Sequence, residues 1–386
     1  MDAPTRVLAT LAHEEPDKVP YFESTFTNNT IAVHFGMKSR GFGSVLNLVR
    51  LLPFRHSIMR FGLSSKSILD KVMLGMGKFY KAAGIDVMPT LSALFPRKIV
   101  KDGFIDEFGR HMHMEYYKDG TEIMGYLGGY FTSFEDYESW EQPDPAWVVR
   151  SNSFLAGLAA QEALDNQVMA IGGITGMMEV TWEGFGIEKF ARLLARRKDA
   201  KKVFDDRGKF SVELTKILAE KGAKVILVFD DYGFKNGLFM SLKNYREFVL
   251  PWLAEICKAA HERDCKIMLQ SDGDLSTMLD DLVDGCKIDA LNPIEPTTAN
   301  PAYDIFEIKR KYGGRLTLVG NVSPTLLATG TIDTIEAYTS RLMRECGPGG
   351  GYILTSGHSI NPAVTLDRWQ AMLRVRDSLG VYPIKS

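Results

Sequence analysis

The stretch VILVFDDYGFKNGLFMSLKNYREFVLPWLAEICKAAHERDCKIMLQSDGDL, residues 225–275, decides the fold class. VILVFDD (225–231) is an apolar run rich in branched side chains. SLKNYREFVLPWLAEICKAAHERD (241–264) has helical character, and CKIMLQSD (265–272) is a second apolar run that turns polar only at Gln270, Ser271 and Asp272. Two short apolar strands joined through a helix make a parallel βα unit.

The same alternation continues to the C-terminus. STMLDDLVDG (276–285), ending on a glycine suited to a helix stop, leads to IDALNPIEP (288–296). IFEIKRKYGG (305–314) leads to RLTLVGNVSP (315–324), TIEAYTSRLMREC (334–346) to GGGYILTSGHSI (349–360), and VTLDRWQAMLRVRDSLG (364–380) closes the chain. Five strands fall in this half. VPYFES (19–24), IDVMPT (85–90) and VMAIGGI (168–174) supply three more, the count of a (β/α)8 TIM barrel spanning residues 1–386 as one domain. A doubly wound nucleotide-binding sheet is disfavoured, because GGITG (172–176) lacks the dinucleotide spacing and GPGGG (347–351) precedes a strand instead of following one. Two segments break the alternation. Residues 37–80 read as a basic, apolar helical insertion, either packed on the barrel or serving as a docking face, lid or dimer contact. Residues 95–131, with KDG turns, read as an antiparallel hairpin excursion.

Composition narrows the function. The chain has 386 residues, 45% hydrophobic and 24% charged, with a formal net charge of -2. There is no basic excess to neutralise phosphates, which argues against nucleic-acid binding. The first twenty residues carry acids and no long apolar core, and no apolar run reaches the ~20 residues needed to span a bilayer. Cys257, Cys265, Cys286 and Cys346 form no CxxC pair and fit reduced thiols. Together these point to a cytoplasmic protein without a membrane or nucleic-acid partner.

In such a barrel, chemistry gathers at the C-terminal ends of the strands. Those ends read Gly172-Gly173-Ile174-Thr175, with Glu179 and Trp182 just beyond, then Asp230-Asp231-Tyr232, Gln270-Ser271-Asp272, Asn292-Pro293-Ile294-Glu295, Gly320-Asn321 and Ser356-Gly357-His358. Helix caps are the plain alternative for single residues such as Asp272, Asp274 or Ser323. Five successive strands ending polar at one face favour a site. Side chains alternate along a strand, so only one of Asp230 and Asp231 faces the cavity. Asp231 is the expected one. His358 reads either as a working group or as a histidine satisfied by a backbone carbonyl. Tyr232, Phe234 and Trp182 are candidate walls for an aromatic substrate or plain core. Glu179 is a second acid or a helix-start charge. His111 and His113 share a strand face, which permits a metal but is equally met by surface histidines.

Several pieces resemble the uroporphyrinogen decarboxylase superfamily. RVLATLAHEEPDKVP (6–20) is similar to its opening, and IDEFGR (105–110) to its D-x-[FW]-G hairpin. VILVFDDYGFKNGLFMSLKNYREFVLPWL (225–253) resembles its strand, acidic pair and P-W helix, MLQSDGDL its H-S-D-G element, and GGGYILTSGHSI its closing strand. The resemblance implies a distorted (β/α)8 barrel of the uroporphyrinogen decarboxylase type, hosting either decarboxylases or corrinoid-dependent methyltransferases. The decarboxylases carry an arginine-rich element after the first strand, whereas YFESTFTNNTIAVHFG (21–36) has no arginine. The methyltransferases that activate thiols bind zinc through His-x-Cys and a later Cys, positions that match Gln270, Asp272 and His358. Without thiolates, any zinc at Asp231, Asp272 and His358 is a harder Lewis acid, better suited to ethers or amines than to thiols.

What the resemblance implies is therefore an O-demethylase-type methyltransferase. It takes a methyl group from a small donor, foremost a methoxylated aromatic compound, and passes it to Co(I) of a corrinoid (cobalamin) on a partner corrinoid protein. Asp231, Asp272 and His358 are the expected catalytic groups, and Tyr232, Gln270, Glu179, Trp182 and Asn321 the expected substrate contacts. A decarboxylase or lyase acting on a smaller acid, and methyl transfer from a methylamine, methanol or thiol, are the alternatives.

Overall fold

The computed structural model describes residues 1–37, 62, 64–298 and 300–384. Seven parallel strands lie side by side in chain order: Val87–Leu91, Met169–Thr175, Val225–Phe229, Lys266–Gln270, Ala290–Asn292, Thr317–Val322 and Tyr352–Ser356. Residues 20–22 complete the cylinder. The Phe22 amide donates to the Leu354 carbonyl at 3.0 Å, and the Asp86 amide donates to the Tyr21 carbonyl at 2.8 Å. Parallel bridges from Tyr21 to Leu354 and from Phe22 to Val87 record both contacts. The eight strands expected from the alternation are thus the eight staves of the barrel. Closure removes both sheet edges, so the long apolar strands carry no exposed backbone.

The interior is filled by Phe22, Val87, Ile171, Val225, Leu227, Met268, Val319 and Ile353, joined at the bottom by Ala3, Val7 and Leu11 of the helix Ala3–Leu11. Each such buried aliphatic or aromatic side chain contributes about 1.5–3 kcal/mol. That helix starts on Asp2, whose side chain accepts from the Thr5 amide, with proline in the first turn. Arg6 on the same helix pairs with Asp86 at 2.6 Å and Asp17 at 2.7 Å, and the Asp86 carboxylate also accepts from the Tyr21 amide at 2.8 Å. The opening motif is therefore a clasp at the N-terminal face, remote from the strand ends that carry the chemistry. Crossover helices form the outer layer, and no helix among the described residues is long and apolar enough to cross a membrane.

The excursion is a four-stranded antiparallel sheet of Pro96–Val100, Gly103–Asp106, Arg110–Tyr116 and Glu122–Gly129. It lies against the helix Met178–Phe185 that follows the third barrel strand, with the Tyr126 hydroxyl donating to the Glu183 carbonyl at 2.8 Å. Of the segment 37–80, most lies outside the described residues. The part described is the helix Lys66–Ala82, which packs on Val148–Ala163.

Candidate functional site

The fourth strand delivers two acids to the barrel mouth, and alternation sends them to different places. Asp230 is fully buried and accepts from the Met177 and Glu179 amides at 2.9 and 2.8 Å, seating the N-terminus of the helix Met178–Phe185. A Cβ at Gly176 would collide with that carboxylate, so glycine is required there. Burial nonetheless pushes the Asp230 carboxyl up to about 7. Asp231 points the other way. Its Oδ1 accepts from the Asp272 amide at 3.0 Å. Burial, followed by the like charges of Glu179 and Asp272, holds its carboxyl well above the usual carboxylate range.

The fifth strand places Asp272 beside it. The turn after Asp272 requires Gly273, whose φ is +89° and whose Cβ would collide with the Gly233 backbone. The loops after the fourth and fifth strands are thereby pressed together. Asp272 Oδ2 lies 3.3 Å from His358 Nε2 at the end of the eighth strand. That contact, ahead of the opposing cost of burial, raises the His358 pKa. The imidazole stays 58% exposed at the rim. Asp272 Oδ1 is buried and has no hydrogen-bond partner among the described residues. Glu295, from the loop after the sixth strand, accepts from the Thr297 amide and hydroxyl at 3.0 and 2.5 Å, and burial raises its pKa too.

Asp231, Asp272 and His358 therefore stand together, linked in a row by their own hydrogen bonds. They do not form the converging trio that a zinc ion needs. Among the described residues no group of three or more His, Cys, Asp or Glu side chains is arranged to hold a metal. His111 and His113 share a strand face without a third ligand, and His113 Nε2 lies 3.3 Å from Glu115. The chemistry these side chains offer is that of acid–base groups and directed hydrogen bonds.

The remaining sequence candidates divide. Trp182 lies in an aromatic row with Tyr126 on one side and Phe239 on the other, at centroid distances of 5.5 and 5.6 Å. Phe234 follows at 5.7 Å and is largely exposed. The Trp182 indole N–H is buried without a partner among the described residues. Glu179 pairs with Arg110 at 3.2 Å. Gln270 is half-buried and accepts a hydrogen bond from the Asn292 amide group. Tyr232 and Asn321, two of the expected substrate contacts, are buried. The Tyr232 ring is fully buried against Tyr245, its carbonyl accepting from the Tyr245 hydroxyl at 2.5 Å. The Asn321 amide group donates to the Ile294 carbonyl at 3.0 Å and its oxygen accepts from the Tyr338 hydroxyl at 2.8 Å. Asp274 caps the following turn, accepting from the Ser276 amide at 2.9 Å, as the cap reading has it.

Two features escaped the sequence reading. Arg110, from the excursion, sits buried among Asp106, Glu183 and Glu179 at 2.6, 2.9 and 3.2 Å. Asp106 also accepts from the Phe108 and Arg110 amides, so the IDEFGR motif is the socket that aims this arginine. Burial, partly offset by Arg110, pushes Glu183 up to about 7. The second feature is Glu23 at the end of the first strand, fully buried. The rule that exposed the other strand ends, an apolar strand turning polar at the mouth, applies equally to VPYFES.

A family model described as uroporphyrinogen decarboxylase (URO-D) matches residues 107–379. Uroporphyrinogen decarboxylase from Pelodictyon phaeoclathratiforme is 30% identical over 149 residues, 37% of this chain and 38% of that protein. The one from Thioalkalivibrio sulfidiphilus is 26% identical over 250 residues, 60% of this chain and 65% of that protein. The matched part thus spans between 38% and 65% of these curated relatives' length. A solved methyltransferase from Methanosarcina mazei superposes with a TM-score of 0.68 over 98% of both chains at 22% identity, a likeness of fold.

Proposed function

For a chain that belongs to the uroporphyrinogen decarboxylase family, we propose methyl transfer from a methoxylated aromatic compound to the corrinoid of a partner protein. One observation carries the reading: Asp231, its carboxyl pushed well above the usual carboxylate range, lies beside Asp272, which in turn meets His358, at a mouth bordered by Trp182, Phe239 and Phe234. An aryl methyl ether loses its methyl group with difficulty, because the departing oxygen takes both electrons of the C–O bond. The corrinoid supplies a nucleophilic cobalt that receives the methyl carbon. What this chain supplies is the proton. Asp231 is the acid that meets the phenolic oxygen and regains its proton from solvent at the mouth, and Asp272 accepts a hydrogen bond from His358, which holds a second donor at the rim. The aromatic row offers a flat wall for the ring, and the unpartnered Trp182 N–H offers it a donor.

A decarboxylase reading needs cations to seat a substrate carboxylate. Arg110, a buried arginine at this end of the barrel, already faces three carboxylates. A cationic methylated amine is the second reading, favoured by the crowding of Glu179, Asp231 and Asp272 and by the adjoining aromatic rings. A donor screen separates these. Methoxybenzoates, methylamines, methanol and methylthiols are incubated with the protein and a reduced corrinoid protein, and corrinoid methylation is followed by absorbance. Methylation from methoxybenzoates alone is expected. Turnover with an amine alone selects the second reading, and failure of every donor contradicts both.

A further inference from the structure

We infer that Glu23 is a positioning residue for His358, acting through Ser356. Glu23 belongs to the first strand and His358 to the loop after the eighth, more than three hundred residues apart in sequence. Glu23 Oε1 accepts from the Tyr21 hydroxyl at 2.8 Å and from the Ser356 amide at 2.9 Å. Its Oε2 lies 2.7 Å from Ser356 Oγ, and that same Oγ lies 3.1 Å from the His358 carbonyl oxygen. Behind it, the Trp369 indole donates to the Tyr21 hydroxyl at 2.7 Å. The row runs from a buried tryptophan through Tyr21, Glu23 and Ser356 to His358, whose Nε2 faces Asp272.

Counting hydrogens sharpens the role. Ser356 has one hydroxyl proton and two oxygens within reach, on Glu23 and on His358. When Glu23 carries a proton, it donates to Ser356 Oγ and the serine proton is free for the His358 carbonyl, so every contact is satisfied at once. Burial, which pushes Glu23 up to about 7, favours that state. A glutamine at position 23 reproduces it, with its carbonyl facing Tyr21 and the Ser356 amide and its NH2 facing Ser356 Oγ. The far side of the turn is held separately, by Thr27 on Ser359 and Ile360. Glu23 therefore controls the near side of the turn that carries His358, whose ring Nδ1 also lies 3.2 Å from Ser359 Oγ. This inference rests on the reading of His358 as a working group only for its catalytic consequence. The positional claim stands apart from it.

The test follows the His358 ring in the full-length protein labelled with ¹³C at histidine Cε1, its resonance identified by its absence from H358Q. In E23Q the signal is expected to keep its wild-type position and width. In Glu23→Leu and in Ser356→Ala it is expected to shift and broaden, while the distant His261 signal, tied to Asp289, stays unchanged. If E23L also loses the His261 signal it has unfolded, and S356A, which leaves Glu23 in place, decides. An unmoved His358 signal in folded S356A or E23L overturns the proposal, as does an E23Q signal displaced like that of E23L. In methyl transfer the same variants should separate likewise. S356A and E23L are expected to lose about 10²-fold in kcat with KM little changed, and E23Q to retain it. Absence of methyl transfer in the wild type would count against the functional reading alone, since the ring signal still reports the positioning.

Discussion

The two ends of the barrel handle carboxylates in opposite ways. At the N-terminal face acids are paired with cations. Asp86 lies 2.6 Å from Arg6 and 3.7 Å from Arg376, and Asp289 lies 2.9 Å from Lys266 and 2.7 Å from His261. Although burial works the other way, Arg6 holds the Asp17 carboxyl well below its ordinary value. At the C-terminal face Glu23, Asp230 and Glu295 are buried and Asp231 half-buried, with hydroxyls and amides for partners, and all four are pushed upward. Paired acids at one end fasten helices and strands. At the other end, outside the Arg110 cluster, acids without a cation are pushed toward their protonated forms, a pattern that functional sites share.

The largest expected effect breaks the mouth without touching the fold. Asp231→Asn keeps the oxygen that accepts from the Asp272 amide but removes the acidic proton. Methyl transfer should fall about 10²–10⁴-fold with no loss in melting temperature. Asp86→Ala should do the reverse. It leaves Arg6 buried without one of its partners and should lower unfolding stability by about 3–5 kcal/mol, measured by denaturant titration, with activity per folded molecule intact.

The pH dependence of stability contrasts the ends more finely. Glu23 titrates at about 7 in the folded chain against an ordinary 4.5, and Asp230 at about 7 against 3.8. Between those values the folded state holds protons that the unfolded chain has released, so stability should fall as pH rises toward 7 and level off above it. Asp17, shifted downward, contributes stability that is present above its ordinary 3.8 and lost on acidification. Melting curves of E23Q and D230N should each lose part of the slope between about 4 and 7, while Asp17→Asn should lose only acid sensitivity. The smallest effect belongs to Asp274. Its replacement by alanine removes a cap at the mouth and should cost about 1 kcal/mol while leaving methyl transfer unchanged.

The barrel was legible because its signal is periodic. Apolar strands and amphipathic helices repeat, and all eight strand positions follow from that repetition. The site was legible where the strand-end rule was applied: Asp231, Asp272 and His358 lie in contact because their strands end at one rim. Asn321 shows the limit of the strand-end rule. A polar residue at a strand end can satisfy a neighbouring loop as well as a ligand, and the partners of its amide group, Tyr338 and the Ile294 carbonyl, come from other elements. The reach of Arg110 was hidden for the same reason. Its three carboxylates converge only when the excursion folds against the helix after the third strand, a tertiary contact with no local signature.

The most direct test of the mouth chemistry is a single-turnover comparison of wild type and D231N. Each is mixed with a methoxylated aromatic donor and reduced corrinoid protein, and methylated corrinoid and free phenol are measured together. Wild type should yield the two in equal amounts and D231N neither on the same timescale. A D231N protein that demethylates at the wild-type rate would contradict the role assigned to Asp231.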